Sequence, residues 1–431
     1  MKGVSCLLCT HEVHHPLAPR SSTLIAYTVP PTLTHDRPES AMSQTSASVP
    51  RAPDTTNRPL PAADRSLAPD LARGIMLLLI ALAHAHLFTV FIGGDETAPT
   101  VLDRIATGGT IVFVDLRAYP MFAALFGYGL AQIHHRRTEQ GHEWRPTRAL
   151  LRRRGLWLIV FGVAHAALLF FGDILAVYGI VALLFVGVLR LRDRTLVILA
   201  SLWLPLAAAA HALLAADEAM NGQGTPLMPD GFVDELLFRL SFYPFLIVLM
   251  FLSTVVPFLI GVLAARHRVL EKPREHLRLL RAAAFVGIPL AVLGGVPLAL
   301  TKTGVWTDAT PLDLLLITPL HQVTGYAGGL GYAALIALIA VHLNDRRGRV
   351  TDALSALGQR SMTFYLAQSV VWAVLFSSYA LHVQLTSSAL GVAIAVAVWG
   401  ATVLLADLMR RGDRRGPAET ALRRLTYGPT R

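Results

Sequence analysis

The chain has 431 residues, 54% hydrophobic and 15% charged, with a formal net charge of +10 and a mean hydropathy of +0.52. A composition this apolar excludes an ordinary soluble domain, because each helical crossing of a bilayer core about 30 Å thick takes roughly 20 apolar residues. Excess positive charge points to nucleic acid in a soluble protein. Here the cations lie between apolar runs, so a lipid bilayer is the expected partner and nucleic acid is excluded.

Residues 1–65 are rich in Pro, Ser, Thr and Ala with no sustained apolar period, and they read as a disordered N-terminal extension. They show no apolar core or cleavage site of a signal peptide, and Met42 offers an alternative start. Cys6 and Cys9, with His11, His14 and His15, have the residue types of a zinc site. With no folded context around them they read as incidental composition, and no metal is expected.

Apolar spans follow at 71–92, 107–133, 151–171, 174–190, 195–213, 240–265, 281–300, 314–343, 361–381 and 387–409. They are unbroken Leu, Ala and Val runs rather than alternating strands. In lipid, only helices or closed barrels satisfy every backbone group, so the expected fold is all-α, a polytopic transmembrane helical bundle over residues 66–409 followed by a basic tail, 410–431. Loops 134–154, 190–194, 266–281 and 344–360 together with that tail hold 27 of the 38 Lys and Arg. The intervening loops 93–106, 214–239 and 301–313 hold only Arg104, Arg239 and Lys302, among acids such as Asp95, Glu96, Asp217, Glu218 and Glu235. Basic loops stay cytoplasmic, which predicts about 10 spans in the cell membrane with both termini inside.

Within the spans, Pro120 should kink the second helix. Spans three and four form a tight hairpin turning at Phe171-Gly172-Asp173. Gly325, Gly329 and Gly331 of span eight let helix backbones approach closely. One internal echo stands out. Span one reads Arg73-Gly74 and then His84-Ala85, while span three reads Arg154-Gly155 and then His165-Ala166. An eleven-residue step returns to nearly the same helix face about 16 Å further along, so each helix carries an Arg and a His on one stripe. Positive flanks account for the arginines by topology alone; a parallel repeat is the sharper reading.

Ionisable side chains at membrane depth are costly and turn to the bundle interior. His84, His86, Asp115, Arg117, His165, Asp173, His321 and Gln322 all fall in the outer half of their spans, and Gln368 falls near the middle of the ninth. His84 and His86 are about 200° apart on a helix and cannot both point inward; His84 shares the stripe of Asp70 and Arg73. Asp115 and Arg117 are two apart, do not face each other, and should pair with other spans. Within the spans no phosphate-binding glycine loop, Gly-x-Ser-x-Gly elbow or His-Glu-x-x-His motif occurs.

Asp70-Leu-Ala-Arg-Gly74, Phe122-Ala-Ala-Leu-Phe-Gly-Tyr-Gly129, Gly172-Asp-Ile-Leu-Ala-Val-Tyr178, Gly358-Gln-Arg-Ser-Met-Thr-Phe-Tyr-Leu-Ala-Gln368 and Gly416-Pro-Ala-Glu-Thr-Ala-Leu-Arg-Arg-Leu-Thr-Tyr427 resemble the YeiB-like membrane proteins, known as domain of unknown function 418. More distantly, Asp70-x-x-Arg73-Gly74 with His84 eleven residues past Arg73 is similar to the membrane acyltransferases that modify sugars and glucosaminides. That resemblance implies transfer from a cytoplasmic acyl-CoA to an acceptor on the outer side. His84 would be the base or acyl carrier, and Arg73 with Arg152, Arg153 and Arg154 would hold the donor phosphates. The alternative is a small-molecule transporter or exporter with a cavity lined by His84, Asp115, Arg117, His165 and His321; a scaffold or sensor is a third option.

Overall fold

Helix α1 (Leu67–Ile92) is the pivot of the bundle, flanked by α3 (Ala118–Glu139), α9 (Pro311–Leu343), α10 (Arg349–Gln359), α11 (Ser361–Phe376) and α12 (Ser388–Arg411). The computed structural model describes residues 67–92, 99–221, 228–343 and 346–428, without the side chains of 91–92 and 217–221. The predicted extension 1–65, its Cys6–Cys9 cluster, and the outer-loop acids Asp95, Glu96, Asp217 and Glu218 lie outside what is described. Every regular element among the described residues is a helix. The others are α2 (Val101–Phe113), α4 (Trp144–Leu168), α5 (Leu175–Phe185), α6 (Asp193–Asn221), α7 (Phe232–Arg266), α8 (Leu277–Lys302) and α13 (Pro417–Tyr427), with short 3-10 turns at Val186–Arg190 and Pro273–His276.

Among the described residues, seven segments are long and apolar enough to cross a membrane: α1, α2–α3 taken together, α6, α7, α8, α9 and α12. The other three predicted spans differ for distinct reasons. In α4 the helix begins two turns early and gathers Arg145, Arg148, Arg152, Arg153 and Arg154 into its first half. The segment Leu175–Arg190 and α11 have 16 residues each, about 24 Å of helix against a core near 30 Å. Each packs one side against neighbouring helices, while Leu184, Val370 and Val374 stay exposed. Leu202 and Leu213 of α6, Leu293 of α8 and Leu404 of α12 also project outward, as a lipid-facing surface requires.

Helices in lipid gain little from burying apolar surface against each other and depend on close packing, which small residues permit. Gly155 of α4 meets the Gly179 carbonyl of α5, and Gly74 and Gly358 bring α1 and α10 into backbone contact at Leu354 and Asp70. The predicted loop 344–360 and the tail therefore each contain a short helix, α10 and α13. Their one-sided apolar faces were too short to read as spans; Ala356, Leu357 and Leu422 are buried on them. The predicted outer loop 214–239 is also reduced, since α7 starts at Phe232 and buries Glu235 and Arg239 as an ion pair.

The second predicted span is not one kinked helix but two helices. Residues 114–117 form a turn, and Leu116 adopts φ 56°, a left-handed conformation costing a non-glycine residue about 1–2 kcal/mol. A continuous helix would drive the Pro120 ring into the carbonyl of Leu116, at a cost of about 3 kcal/mol. Breaking there moves Pro120 into the first turn of α3, where no N–H is missed. Backbone bonds from Val114 and Asp115 to the Thr110 carbonyl (2.8 and 2.9 Å) close the turn, and Tyr332 Oη donates to the Phe113 carbonyl at 2.9 Å. Gly325 and Gly329 of α9 lie directly against the carbonyls of Leu116 and Arg117. The glycine pattern of span eight thus receives irregular backbone, which survives at membrane depth only when covered by protein.

Candidate functional site

Two buried polar clusters divide the residues singled out in the sequence. The first is built where α1, α4 and α11 converge. His84 of α1 and His165 of α4 both face the Tyr365 ring of α11, with ring centres 6.1 and 5.0 Å away. Phe170, in the turn after α4, packs 4.4 Å from the His84 ring. Asp173 follows in the same turn. Its Oδ1 lies 2.9 Å from His165 Nδ1, close enough for an ion pair but not aligned as a good hydrogen bond. Its Oδ2 accepts from the Ala176 backbone N–H (2.8 Å) and from Tyr243 Oη (3.2 Å). The local sequence explains the position: Asp173 caps the start of α5, as Asp does at helix N-termini, and this fixes its carboxylate beside α4.

All of these side chains are buried, and several polar atoms have no hydrogen-bond partner: His84 Nδ1, His165 Nε2, both amide atoms of Gln368 and Trp372 Nε1. Gln368 and Trp372 stand on α11 one and two turns beyond Tyr365, and Trp372 stacks on Phe88, one turn beyond His84. Native interiors pair the great majority of such groups, so a concentration of unpaired ones marks a functional candidate.

Below this cluster, toward the start of α1, the echo between the two helices recurs. Asp70 accepts from Gln359 Nε2 at 3.0 Å and from Arg73 at 3.4 Å. Arg154 turns inward with an unpartnered Nε, within electrostatic reach of Arg73, Glu419 and Tyr427. Arg152 and Arg153 point outward and do not join it. The tail closes the region. Glu419 of α13 accepts from the Met362 N–H (2.7 Å) and the Thr363 N–H (3.1 Å), capping α11, while Thr363 Oγ1 accepts from the Ala418 N–H at 3.1 Å. Arg360 donates to the Arg414 carbonyl at 2.6 Å.

The second cluster surrounds the α2–α3 break. The Asp115 carboxylate lies 3.7 Å from His86 Nε2 of α1, so the two α1 histidines serve different clusters. Arg117 is completely buried. It donates to the carbonyls of Asp115 and Ala291, both at 2.5 Å, and to His321 Nδ1 at 3.0 Å. Gln322 donates to Tyr326 Oη at 2.8 Å and to Tyr119, and Tyr326 Oη donates to the Ser253 carbonyl at 2.9 Å. Sequence reasoning missed the tyrosines in both clusters; an aromatic in an apolar run reads as packing, and only its hydroxyl hints at more. No group of His, Cys, Asp and Glu able to hold a metal occurs among the described residues.

Residues 264–429 match the family described as Protein of unknown function (DUF418). The chain is also 26% identical over 343 residues to the uncharacterised protein YxaH of Bacillus subtilis (strain 168), covering 73% of this chain and 80% of that one. It is 26% identical over 403 residues to the uncharacterised protein YeiB of Escherichia coli (strain K12), covering 84% and 96%. Over these residues the chain is similar to the YeiB-like DUF418 family. The segment matched by the family carries α8 to α13, and with them Tyr365, Gln368, His321 and the Glu419 cap. His84, Arg117 and His165 lie before it.

Proposed function

We propose that this protein is a cell-membrane acyltransferase, crossing about ten times with both termini cytoplasmic, which moves an acyl group from acyl-CoA to a hydroxyl or amine acceptor. The observation that carries this reading is the meeting of His84 and His165 at one tyrosine ring, with the Asp173 carboxylate 2.9 Å from His165. Two imidazoles in different surroundings suit the two proton transfers of acyl exchange. His84, with its free Nδ1, takes the acceptor proton as the acceptor attacks the thioester carbon. As the C–S bond breaks, the departing thiolate takes a proton from His165, whose charge Asp173 can balance. The proton held by His84 then returns to His165, restoring both rings. Arg73 and Arg154 stand eleven residues before the histidines, about 16 Å along their helices, and would hold the donor's phosphates.

The test is thiol release from acetyl-CoA by purified protein in detergent, with sugar and amine acceptors. Turnover that vanishes in His84→Ala while the protein stays folded supports the reading; wild-type protein that neither binds nor consumes acyl-CoA overturns it. A second reading, a transporter, is favoured by one observation: the broken helix around Arg117, since transporters bind substrates at interrupted helices. Uptake into proteoliposomes that depends on Arg117 but not on His84 would favour it.

A further inference from the structure

The open end of the α4–α5 hairpin holds a cavity of about 440 Å³, lined by Trp144, Arg148, Leu183, Leu184, Gly187 and Arg190. It lies at the arginine-bearing rim of the bundle, apart from both polar clusters. Arg190 sits over the Trp144 indole at 5.6 Å, and His134 meets the same ring edge-on at 5.2 Å. Two acids on the neighbouring loops are already engaged: Asp193 with Arg266 and His267 (2.7 and 2.9 Å), and Glu139 with Arg268 and His135 (3.0 and 3.1 Å). Neither Arg148 nor Arg190 forms an ion pair with an acid among the described residues. Two guanidinium groups are therefore left facing one cavity. Its other wall is apolar and open, with Leu184 66% exposed, and a Cβ on Gly187 would meet nothing within 4 Å.

We propose that this cavity binds an anionic phospholipid, with its phosphate on Arg148 and Arg190, its glycerol region at Trp144 and an acyl chain along Leu183 and Leu184. The chemistry is the usual division at a membrane rim: guanidinium groups take phosphate oxygens bidentately, tryptophan sits at the headgroup level, and basic pockets between helices select anionic headgroups. The outward-facing leucine wall favours a lipid over a soluble phosphate compound, which has no chain to lay there. This proposal is independent of the acyl-transfer reading, because it uses none of the residues placed in that site.

Native mass spectrometry of the purified full chain tests it, with added phosphatidylglycerol or phosphatidylcholine of identical acyl chains. Wild type should retain phosphatidylglycerol preferentially, and the double variant R148Q/R190Q should weaken that retention about thirtyfold, at roughly 1 kcal/mol for each arginine. Arg349→Gln, an exposed cation elsewhere, should leave it unchanged. Equal retention of the two lipids, or equal loss in Arg349→Gln, overturns the proposal. So does displacement of phosphatidylglycerol by coenzyme A, which would reassign the arginines to a soluble phosphate ligand. Leu184→Gln, which keeps both charges, should halve retention or more; no change there would remove the acyl chain from the account.

Discussion

The two polar clusters hold similar residues and are finished differently. Around Arg117 the guanidinium is met by two backbone carbonyls and an imidazole, and Gln322, Tyr326 and the Ser253 carbonyl form a hydrogen-bonded chain, which leaves Arg117 Nε and Gln322 Oε1 without partners. Around Tyr365, His84 Nδ1, both ring nitrogens of His165, both amide atoms of Gln368 and Trp372 Nε1 are left without hydrogen-bond partners. A buried charge that loses its partners costs several kcal/mol, so the first cluster reads as the means by which a broken helix is held inside the bundle. The second has the donors and acceptors of a site that still has bonds to make. Histidine at membrane depth is thus not one signal but two, and what separates them is whether the ring is already occupied.

His84→Ala and His165→Ala should lower acyl turnover 10²–10⁴-fold, the usual worth of a positioned proton-transfer group, while the melting temperature in detergent stays near wild type. Arg117→Met should do the reverse. It orphans the carbonyls of Ala291 and Asp115 and should cost about 3 kcal/mol of stability, read as a lower melting temperature or lost expression. If the Arg117 variant instead folds normally and is inactive, the assignment of the two clusters is inverted. Gly358→Ala places a methyl group against the Asp70 carbonyl; backbone cannot yield as a flexible side chain can, and overpacking of about 1–3 kcal/mol is expected in thermal unfolding. Glu419→Ala removes the cap on α11 and should lower stability by about 1 kcal/mol; an unchanged melting curve would show that α13 does not hold that helix end.

The seven long apolar helices were legible because hydropathy acts over twenty residues at a time. The break at 114–117 was not, since Val114 and Leu116 keep the run apolar and the only clue, Pro120, acts on the residue four before it. The short α11 was read as longer than it is, because Tyr379, Ala380 and Leu381 continue the apolar run past the helix end at Phe376. Pairing Asp115 with another span followed from helix geometry, and the structure puts it near His86. The echo of Arg73–His84 in Arg154–His165 was visible as spacing alone. That both histidines meet at Tyr365 depends on how α1 and α4 sit around α11, which no local pattern encodes. Glu235 and Arg239 looked like loop charges, because an ion pair four residues apart in a buried helix has the same sequence as one in water.

The most direct test of the account is a ligand-bound structure, obtained with a non-hydrolysable acyl-CoA analogue and protein in lipid nanodiscs. The account predicts density running from Arg73 and Arg154 along α1 and α4, with the acyl carbonyl ending between His84 and His165 beside Tyr365. Density lodged instead at Arg117 in the α2–α3 break would contradict it.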